Sequence, residues 1–402
     1  MAHLTPTFEK IFRLMATKRA SDVYLSAGAP VTIRIEGNAQ PLNAQPLTAP
    51  QLTEWLQAFV ADEARWALFV RERELNFSLP LPGIGNFRCN LFWQRGTPAA
   101  VFRYIPPEIP ALEALHLPPI LRDLALAQRG LVLVVGATGS GKSTTLASMV
   151  DTRAAQRSGH ILTVEDPIEF LFQHKKSIVN QRDVGTDTHS WADSLKNAMR
   201  QAPDCILIGE IRTRETMEAA LQYALTGHLV LASLHANTSY HALNRIVNFF
   251  PLESRALLYG DLAVALRAIV AQRLVPGLRG RRYPAVEILL NTALIAEAIE
   301  KGNLFAVREA LERSLTAEMK SFEQALAQLV ESGAITREVA MQYADSPSNL
   351  AWRLDNGPSN RVKDEVSEQE PVPGSQRSAP NPLRTPAASD ETSVDFSHFR
   401  IE

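Results

Sequence analysis

Cysteine is scarce in this chain of 402 residues, which has only Cys89 and Cys205. The two lie far apart and form neither a metal-binding spacing nor a redox motif. We therefore predict two buried thiols in a protein of the reducing cytoplasm.

The sequence also lacks an excess of basic charge and a long apolar run. Its 41 Lys and Arg residues nearly balance its 43 Asp and Glu residues, so no global attraction to nucleic acid is expected. The apolar stretch 257–275 is interrupted by Asp261, Arg267 and Arg273, whereas a membrane helix needs roughly 20 apolar residues. The N-terminus has no signal-peptide pattern. We predict a cytoplasmic protein without membrane insertion.

The length predicts more than one domain. The first covers residues 1–106. Apolar and polar residues alternate along several of its segments, as they do in strands, and two further segments have helical spacing. This pattern indicates an α+β domain with an antiparallel sheet. Prolines 106, 107 and 110 place a linker at 107–113. The predicted elements of this domain are helices over 7–19 and 49–70 and strands over 22–26, 31–35, 74–79, 85–94 and 99–104.

A second domain is predicted over 114–345. Four apolar runs separated by helix-length segments are typical of a parallel sheet buried on both faces. The predicted elements are strands over 131–135, 160–164, 205–208, 229–233 and 285–290 and helices over 293–301, 304–314, 321–332 and 337–344. Residues 346–402 hold seven of the 25 prolines, and we predict that this tail is disordered.

A glycine-rich segment follows the first of these apolar runs, as in a phosphate-binding loop. The loop directs backbone N–H groups and a helix N-terminus at one point, which suits the phosphates of ATP. Lys142 is predicted to reach the β- and γ-phosphates, and Ser143 to bind Mg²⁺. The predicted nucleotide-binding residues are Gly136, Ala137, Thr138, Gly139, Ser140, Gly141, Lys142, Ser143 and Thr144.

Two further predicted strands end in acidic residues. Glu165 and Glu169 follow one of them, and Glu210 follows the other. A carboxylate near the γ-phosphate can orient or deprotonate the attacking water. Gly209 stands where a typical Walker B motif has an aspartate, so Glu210 has to act there alone or through a water. A third strand lies between His228 and His235, whose spacing fits no common zinc site.

In this order, the four motifs resemble those of the secretion ATPases, and within them the type IV pilus retraction ATPases of the PilT and PilU family. The resemblance extends from the first helix to about residue 345. It implies that the chain has an α/β fold and is one subunit of a homohexamer. Each subunit has an N-terminal PAS-like α+β domain followed by a RecA-like P-loop ATPase domain with C-terminal helices.

The resemblance also implies roles for the site residues. Glu169 corresponds to the general base, Glu210 and Ser143 to the residues at Mg²⁺, and Glu165 to another member of the acidic motif. His228 and His235 correspond to residues that couple the nucleotide to the domain interface. Family members bring arginines of the N-terminal domain to the nucleotide. The arginines in the matching segment are Arg88, Arg95 and Arg103, and each is equally consistent with a surface position.

Within the family, residues 294–299 depart from the Ala-Ile-Arg-Asn-Leu motif of PilT proteins, and other segments look more like PilU. This implies an accessory motor that acts with a PilT-type ATPase on an inner-membrane platform protein, at the inner face of that membrane. The alternatives are the main motor PilT, a RecA-like DNA translocase, for which the chain lacks a basic stripe, and a scaffold that binds ATP without hydrolysing it.

Overall fold

Residues 5–35, 37–314, 316 and 318–356 are described by the computed structural model. They form two β-sheets, each with its own hydrophobic core. Antiparallel strands make up the first sheet, and the second is largely parallel. The predicted α/β fold is therefore confirmed.

The N-terminal sheet has six strands in the order β3-β2-β1-β6-β5-β4. One face packs against helices over a core rich in phenylalanine, which includes Phe12, Phe59 and Phe102. Its elements are α1 (Pro6–Thr17), β1 (Asp22–Leu25), β2 (Thr32–Ile35), β3 (Asn38–Pro41), α2 (Ala49–Val60), α3 (Glu63–Glu72), β4 (Glu74–Leu81), β5 (Gly85–Gln94) and β6 (Thr97–Ile105).

The other face of this sheet is polar. Side chains alternate between the faces of a strand, so the neighbours of the buried Val23, Phe102 and Phe87 point away from the core. Asp22 and Arg88 are such neighbours. This polar face lies toward the second sheet, because Asn86 and Ser78 donate hydrogen bonds to the Ile168 carbonyl at 3.1 and 3.2 Å.

The single helix predicted over 49–70 is wrong, because two helices, α2 and α3, occupy this segment. Ala61 adopts a left-handed conformation with φ of 53° and ends α2. Asp62 then caps α3 by accepting a hydrogen bond from the Arg65 N–H at 2.9 Å. Alanine is not typical of this conformation, so the apolar pattern alone did not indicate the break.

The second sheet has the order β13-β12-β7-β11-β10-β8-β9, in which only β13 runs antiparallel to its neighbour. Strand β7 is buried on both faces, as its apolar sequence predicts. The elements are α4 (Ile120–Ala125), β7 (Gly130–Val135), α5 (Lys142–Gln156), β8 (Gly159–Glu165), β9 (Ser177–Asp183), α6 (Trp191–Ala198), β10 (Cys205–Ile208), α7 (Arg214–Leu225), β11 (Leu229–Leu234), α8 (Ser239–Asn248), α9 (Arg255–Ala265), β12 (Leu266–Pro276), β13 (Arg282–Leu290), α10 (Ala293–Glu300), α11 (Leu304–Glu312), α12 (Phe322–Glu331), α13 (Arg337–Tyr343) and α14 (Pro347–Asn356).

Helix α14 lies in the segment predicted to be disordered, so that prediction is corrected for residues 347–356. Leu350 is fully buried in the core of the second sheet. One fully buried leucine in a helix of 10 residues was too weak a pattern to outweigh the proline-rich composition. The rest of the predicted tail, 357–402, lies outside the described residues, and the linker at 107–113 stays a prediction.

Cys89 and Cys205 are buried and free, as predicted. No helix in the described part of the chain is long and apolar enough to cross a membrane.

Candidate functional site

A cavity of about 510 Å³ lies between the two sheets, at the carboxyl ends of β7, β8, β10 and β11. Ligands of open α/β sheets bind at this edge. Residues from both sheets line the cavity. Those predicted from the sequence are Arg88, Arg103, Thr138, Gly139, Gly141, Lys142, Ser143, Thr144, Glu165, Glu169, Glu210 and His235.

The glycine-rich loop connects β7 to α5, and two of its glycines have no substitute. A Cβ on Gly136 would lie 2.5 Å from the carbonyl oxygen of Gln272, so no side chain fits there. Gly141 precedes α5 with φ of 91°, a conformation that favours glycine. Buried Gln272 on β12 holds the loop, because its amide donates to the Ser140 carbonyl at 2.7 Å and accepts from Thr145 at 2.8 Å.

Lys142 lies at the start of α5 and reaches back across the loop. Its Nζ donates to the carbonyls of Gly136 and Ala137, both at 3.0 Å. Burial lowers the pKa of Lys142, while the nearby carboxylates of Glu210 and Glu169 oppose that shift. The cation therefore faces two acidic side chains across the cavity.

The acidic loop begins at Glu165, the last residue of β8, and its two glutamates lie in different environments. Glu165 is buried and accepts hydrogen bonds from Thr163 at 2.8 Å and Gln181 at 3.2 Å. Its burial raises its pKa to about 7. Glu169 is partly exposed, lines the cavity and pairs with Arg88 at 3.5 Å. The loop between them contains a cis Asp166–Pro167 peptide bond.

Glu210 follows β10 and pairs with two neighbours. Its carboxylate contacts Arg212 at 2.7 Å and the Nε2 of His235 at 3.3 Å. Burial and the charge of Lys142 lower the pKa of His235, and Glu210 opposes the shift. The lowered pKa favours the neutral imidazole near pH 7, in which one ring nitrogen carries an N–H donor and the other is an acceptor.

Gly209, which replaces the usual aspartate of a Walker B motif, packs tightly under the acidic loop. A Cβ at this position would lie 3.3 Å from both the Cα of Glu165 and the carbonyl oxygen of Val164. The Gly209 N–H donates to the same Val164 carbonyl at 2.8 Å. These contacts are tight, so any side chain at this position requires the end of β8 to shift, and the glycine allows the two acidic segments to lie side by side.

Of the three predicted arginines, the structure brings Arg88 and Arg103 to the cavity. They are register partners on β5 and β6. Arg95 lies in the turn at the far end of these strands, seven residues from Arg88, or about 23 Å at the usual rise of a strand. The structure therefore does not place Arg95 at the cavity of its own chain.

His228 is also not brought to the cavity, although His235 is. It immediately precedes β11, next to the start of β7, whereas the loop and His235 follow the opposite ends of these strands. The strand rise over these seven residues puts about 23 Å between the two histidines. The Nδ1 of His228 lies 3.1 Å from the Tyr223 carbonyl, an arrangement that fixes the end of α7.

Several lining residues were not predicted from the sequence. Arg212 lies two residues beyond Glu210, a spacing that places both at one strand end and so was available as a signal. Arg282 reaches the cavity from β13, which lies far from the motifs in sequence. The aromatic side chains of Phe170, Phe172 and Trp191 complete the wall.

A second cavity, of about 550 Å³, lies at the amino-terminal edge of the same sheet. Its lining includes Arg129, Arg267 and Asn291 and none of the predicted site residues. The larger volume therefore does not identify the functional site, because the residues that can bind phosphate lie in the cavity between the sheets.

Residues 112–356 match the sequence model of type II/IV secretion system proteins. The chain is 46% identical over 351 residues to the type IV pilus ATPase PilU of Pseudomonas aeruginosa, covering 87% of this chain and 92% of the relative. It is 38% identical over 341 residues to the type IV pilus retraction ATPase PilT of the same organism, covering 85% and 99%.

The fold also matches the crystal structure of the pilus retraction motor PilT with bound ADP. The TM-score is 0.78 at 40% identity, with 87% of this chain and all of the other covered. The sequence match extends over both sheets, and the solved relative binds a nucleotide. The chain therefore belongs to the type II/IV secretion ATPase family, as a nucleotide-binding ATPase of the pilus-retraction type.

Proposed function

We propose that the chain hydrolyses Mg-ATP in the cavity between its sheets and powers type IV pilus retraction as an accessory motor of the PilU type. The observation that carries this proposal is the convergence of four separate sequence motifs on one cavity. Phosphate-binding, acidic and arginine residues meet there, as phosphoryl transfer requires.

Each residue has a distinct proposed role. The loop N–H groups and Lys142 bind the phosphates, and Glu169 accepts the proton of the attacking water. Glu169 is suited to this role because it is partly exposed in the cavity, whereas Glu165 is enclosed by hydrogen-bond donors. Arg88 and Arg103 offer forked donors to the charge that develops on the transferred phosphoryl group.

Ser143 and Glu210 are the residues that would hold Mg²⁺. Both present oxygen atoms to the cavity, and Mg²⁺ sites at nucleotides commonly use one or two protein ligands besides phosphates and water. This donor set fits, although Glu210 also contacts Arg212 and His235. When bound, the ion neutralises negative charge on the phosphates.

Hydrolysis is coupled to movement through the polar face of the N-terminal sheet. Arg88 on that face pairs with Glu169, and Asn86 binds the neighbouring Ile168 carbonyl. A change of charge at the phosphates therefore acts on the contact between the sheets. In the proposed motor, six copies form a ring at the inner face of the inner membrane. The two sheets close and open on each other during each ATP cycle, and this movement drives the platform protein of that membrane.

The higher identity to PilU than to PilT, 46% against 38%, favours the accessory role. The role also agrees with the missing Ala-Ile-Arg-Asn-Leu motif at residues 294–299. An accessory motor adds force to retraction by a PilT-type ATPase and does not replace it.

A test is retraction of single pili in the bacterium that encodes this chain. Deleting the gene should lower retraction force while its PilT-type ATPase is present, and the wild-type gene should restore it. An allele with Lys142→Ala, produced at the same level, is the control and should not restore it. Unchanged force after deletion contradicts a role in retraction, and retraction by this chain without the PilT-type ATPase contradicts an accessory role.

A further inference from the structure

One row of side chains crosses five strands on the polar face of the N-terminal sheet. Successive register partners join Arg34 to Asp22, Asp22 to Arg103, Arg103 to Arg88 and Arg88 to Ser78. The row runs over the cavity, because Arg103 and Arg88 line it and Ser78 bonds to the Ile168 carbonyl.

Asp22 is the acidic member of this row, and it is buried. Only 4% of its side chain is exposed. Its Oδ1 accepts from the Nε of Arg103 at 2.9 Å, and its Oδ2 accepts from the Ser21 hydroxyl at 2.9 Å. Arg34 lies farther away, at 3.8 Å. A buried carboxylate is costly unless it is paired, and here its close charged partner is Arg103.

This pairing fixes which part of Arg103 remains free. A guanidinium group has five N–H donors in one plane, and Asp22 engages the Nε. Slightly more than half of the Arg103 side chain, 56%, is exposed, so its terminal NH₂ groups stay accessible on the cavity side. Holding a long side chain in place before binding reduces the ordering entropy that binding would otherwise cost.

Asp22 also offsets the repulsion between two like charges. Arg103 and Arg88 are direct partners across β6 and β5, and like charges at such positions repel. Asp22 neutralises Arg103 on one side, and Glu169 neutralises Arg88 on the other. The four groups form a chain in which the two arginines are held side by side.

We propose that Asp22 is a positioning residue that orients Arg103 toward the phosphates of the bound nucleotide. This inference rests on the proposed function of the cavity. Asp22 itself is not among the residues that line the cavity, so its effect on turnover passes through Arg103.

A double-mutant cycle on ATP turnover by the purified full-length chain tests this role. Asp22→Ala and Arg103→Ala should each lower kcat/KM by roughly 10- to 100-fold, since small displacements of catalytic groups have effects of this size. In the Arg103→Ala background, Asp22→Ala should cause no further loss, because the two act as one unit. Asp22→Asn, which keeps an acceptor oxygen, should retain more activity than Asp22→Ala.

Arg34→Ala is the matched control, since it removes the other arginine near Asp22 and should leave turnover unchanged. Full activity of Asp22→Ala, or an equal further loss in the Arg103→Ala background, would overturn the inference. If circular dichroism shows that Asp22→Ala is unfolded, Asp22→Asn replaces it in the double-mutant cycle. The proposed function is tested separately by Lys142→Ala, and turnover by that variant would contradict it. If Lys142→Ala abolishes turnover and Asp22→Ala leaves it unchanged, only the role of Asp22 is contradicted.

Discussion

Two glutamates of the acidic loop, four residues apart, differ in their environment. Glu165 is buried among hydrogen-bond donors with a raised pKa, while Glu169 is partly exposed in the cavity beside Arg88. A base has to reach the water from which it takes the proton. Their positions favour Glu169 as the proposed base and give Glu165 a proposed role in the shape of the loop.

Glu169→Gln should lower kcat for ATP hydrolysis by roughly 100-fold or more, because it removes the proton acceptor. Glu165→Gln is the matched control and should stay within roughly 10-fold, because glutamine can still accept from Thr163 and Gln181. Steady-state turnover and the ATP dissociation constant should be measured for both. Equal losses of kcat, or a greater loss for Glu165→Gln, would contradict this division of roles.

Gly209 shows why the acidic strand end departs from the common pattern. Gly209→Asp should destabilise the fold by about 1–3 kcal/mol, as overpacking does, and should not raise turnover. Urea unfolding and steady-state turnover check this, with the more modest Gly209→Ala for comparison. A stable Gly209→Asp protein with higher turnover would show that the glycine is not required by packing.

Residue types and spacing were enough to predict the loop residues and the cavity positions of Glu169, Glu210 and His235. They were not enough for Arg95 and His228, since each lies at the end of its strand away from the cavity. The sequence indicates that a strand is present, but it does not show which end of that strand lies at the cavity. Arg282 and Gln272 were missed because only the pairing of β12 with β7 and β13 brings them near the loop.

Among the secondary-structure elements, the central strands were the easiest to predict. β7, β10 and β11 are apolar throughout, because both of their faces are covered. β12 was missed because Gln272 and Arg273 interrupt its apolar run. Each has specific partners: Arg273 donates to the Tyr343 carbonyl and to Asp345, both at 2.7 Å. Edge strand β9 and the break after α2 have weaker patterns of apolar and polar residues, so neither was predicted.

Helix α14 should contribute to the stability of the ATPase core. Leu350→Ala should lower the free energy of unfolding by about 2–5 kcal/mol, the range for a buried leucine. Trp352→Ala on the same helix is the control and should have little effect, because 64% of Trp352 is exposed. Urea unfolding provides the comparison. Equal midpoints for the two variants would show that α14 is not packed on the core.

A buried acid joins β13 to α8. Glu287 accepts hydrogen bonds from the N–H and hydroxyl of Ser239, both at 2.7 Å, and burial raises its pKa to about 7. The folded protein thus keeps this proton at pH values where the unfolded chain has lost it. The contribution of Glu287 to stability should therefore fall as pH rises from about 4.5 to 7.

Glu287→Gln should weaken this pH dependence. Its urea midpoint should fall less than that of the unmodified chain between pH 5 and pH 8. Glu309→Gln, at a half-exposed side chain, is the control. The two pH profiles are the measurement. Parallel profiles for Glu287→Gln and the unmodified chain would contradict an effect of Glu287.

At the scale of the whole molecule, the cavity is made by both sheets. The second sheet supplies the phosphate-binding loop and the acids, and the polar face of the first supplies Arg88 and Arg103. Ser78, Asn86 and Arg88 all donate hydrogen bonds to the acidic loop and join the sheets beside the proposed base. In the proposed function, the first sheet responds through these contacts to a nucleotide bound at the loop of the second sheet.

ATP turnover by the purified chain with Lys142→Ala tests the central claim most directly. The variant should remain folded by circular dichroism and lose ATP turnover, because no other lysine or arginine of the phosphate-binding loop can replace its contact with the phosphates. Lys301→Ala, at an exposed ion pair of α10, is the control and should keep full turnover. Unchanged turnover with Lys142→Ala would contradict the assignment of the cavity as the site of ATP hydrolysis.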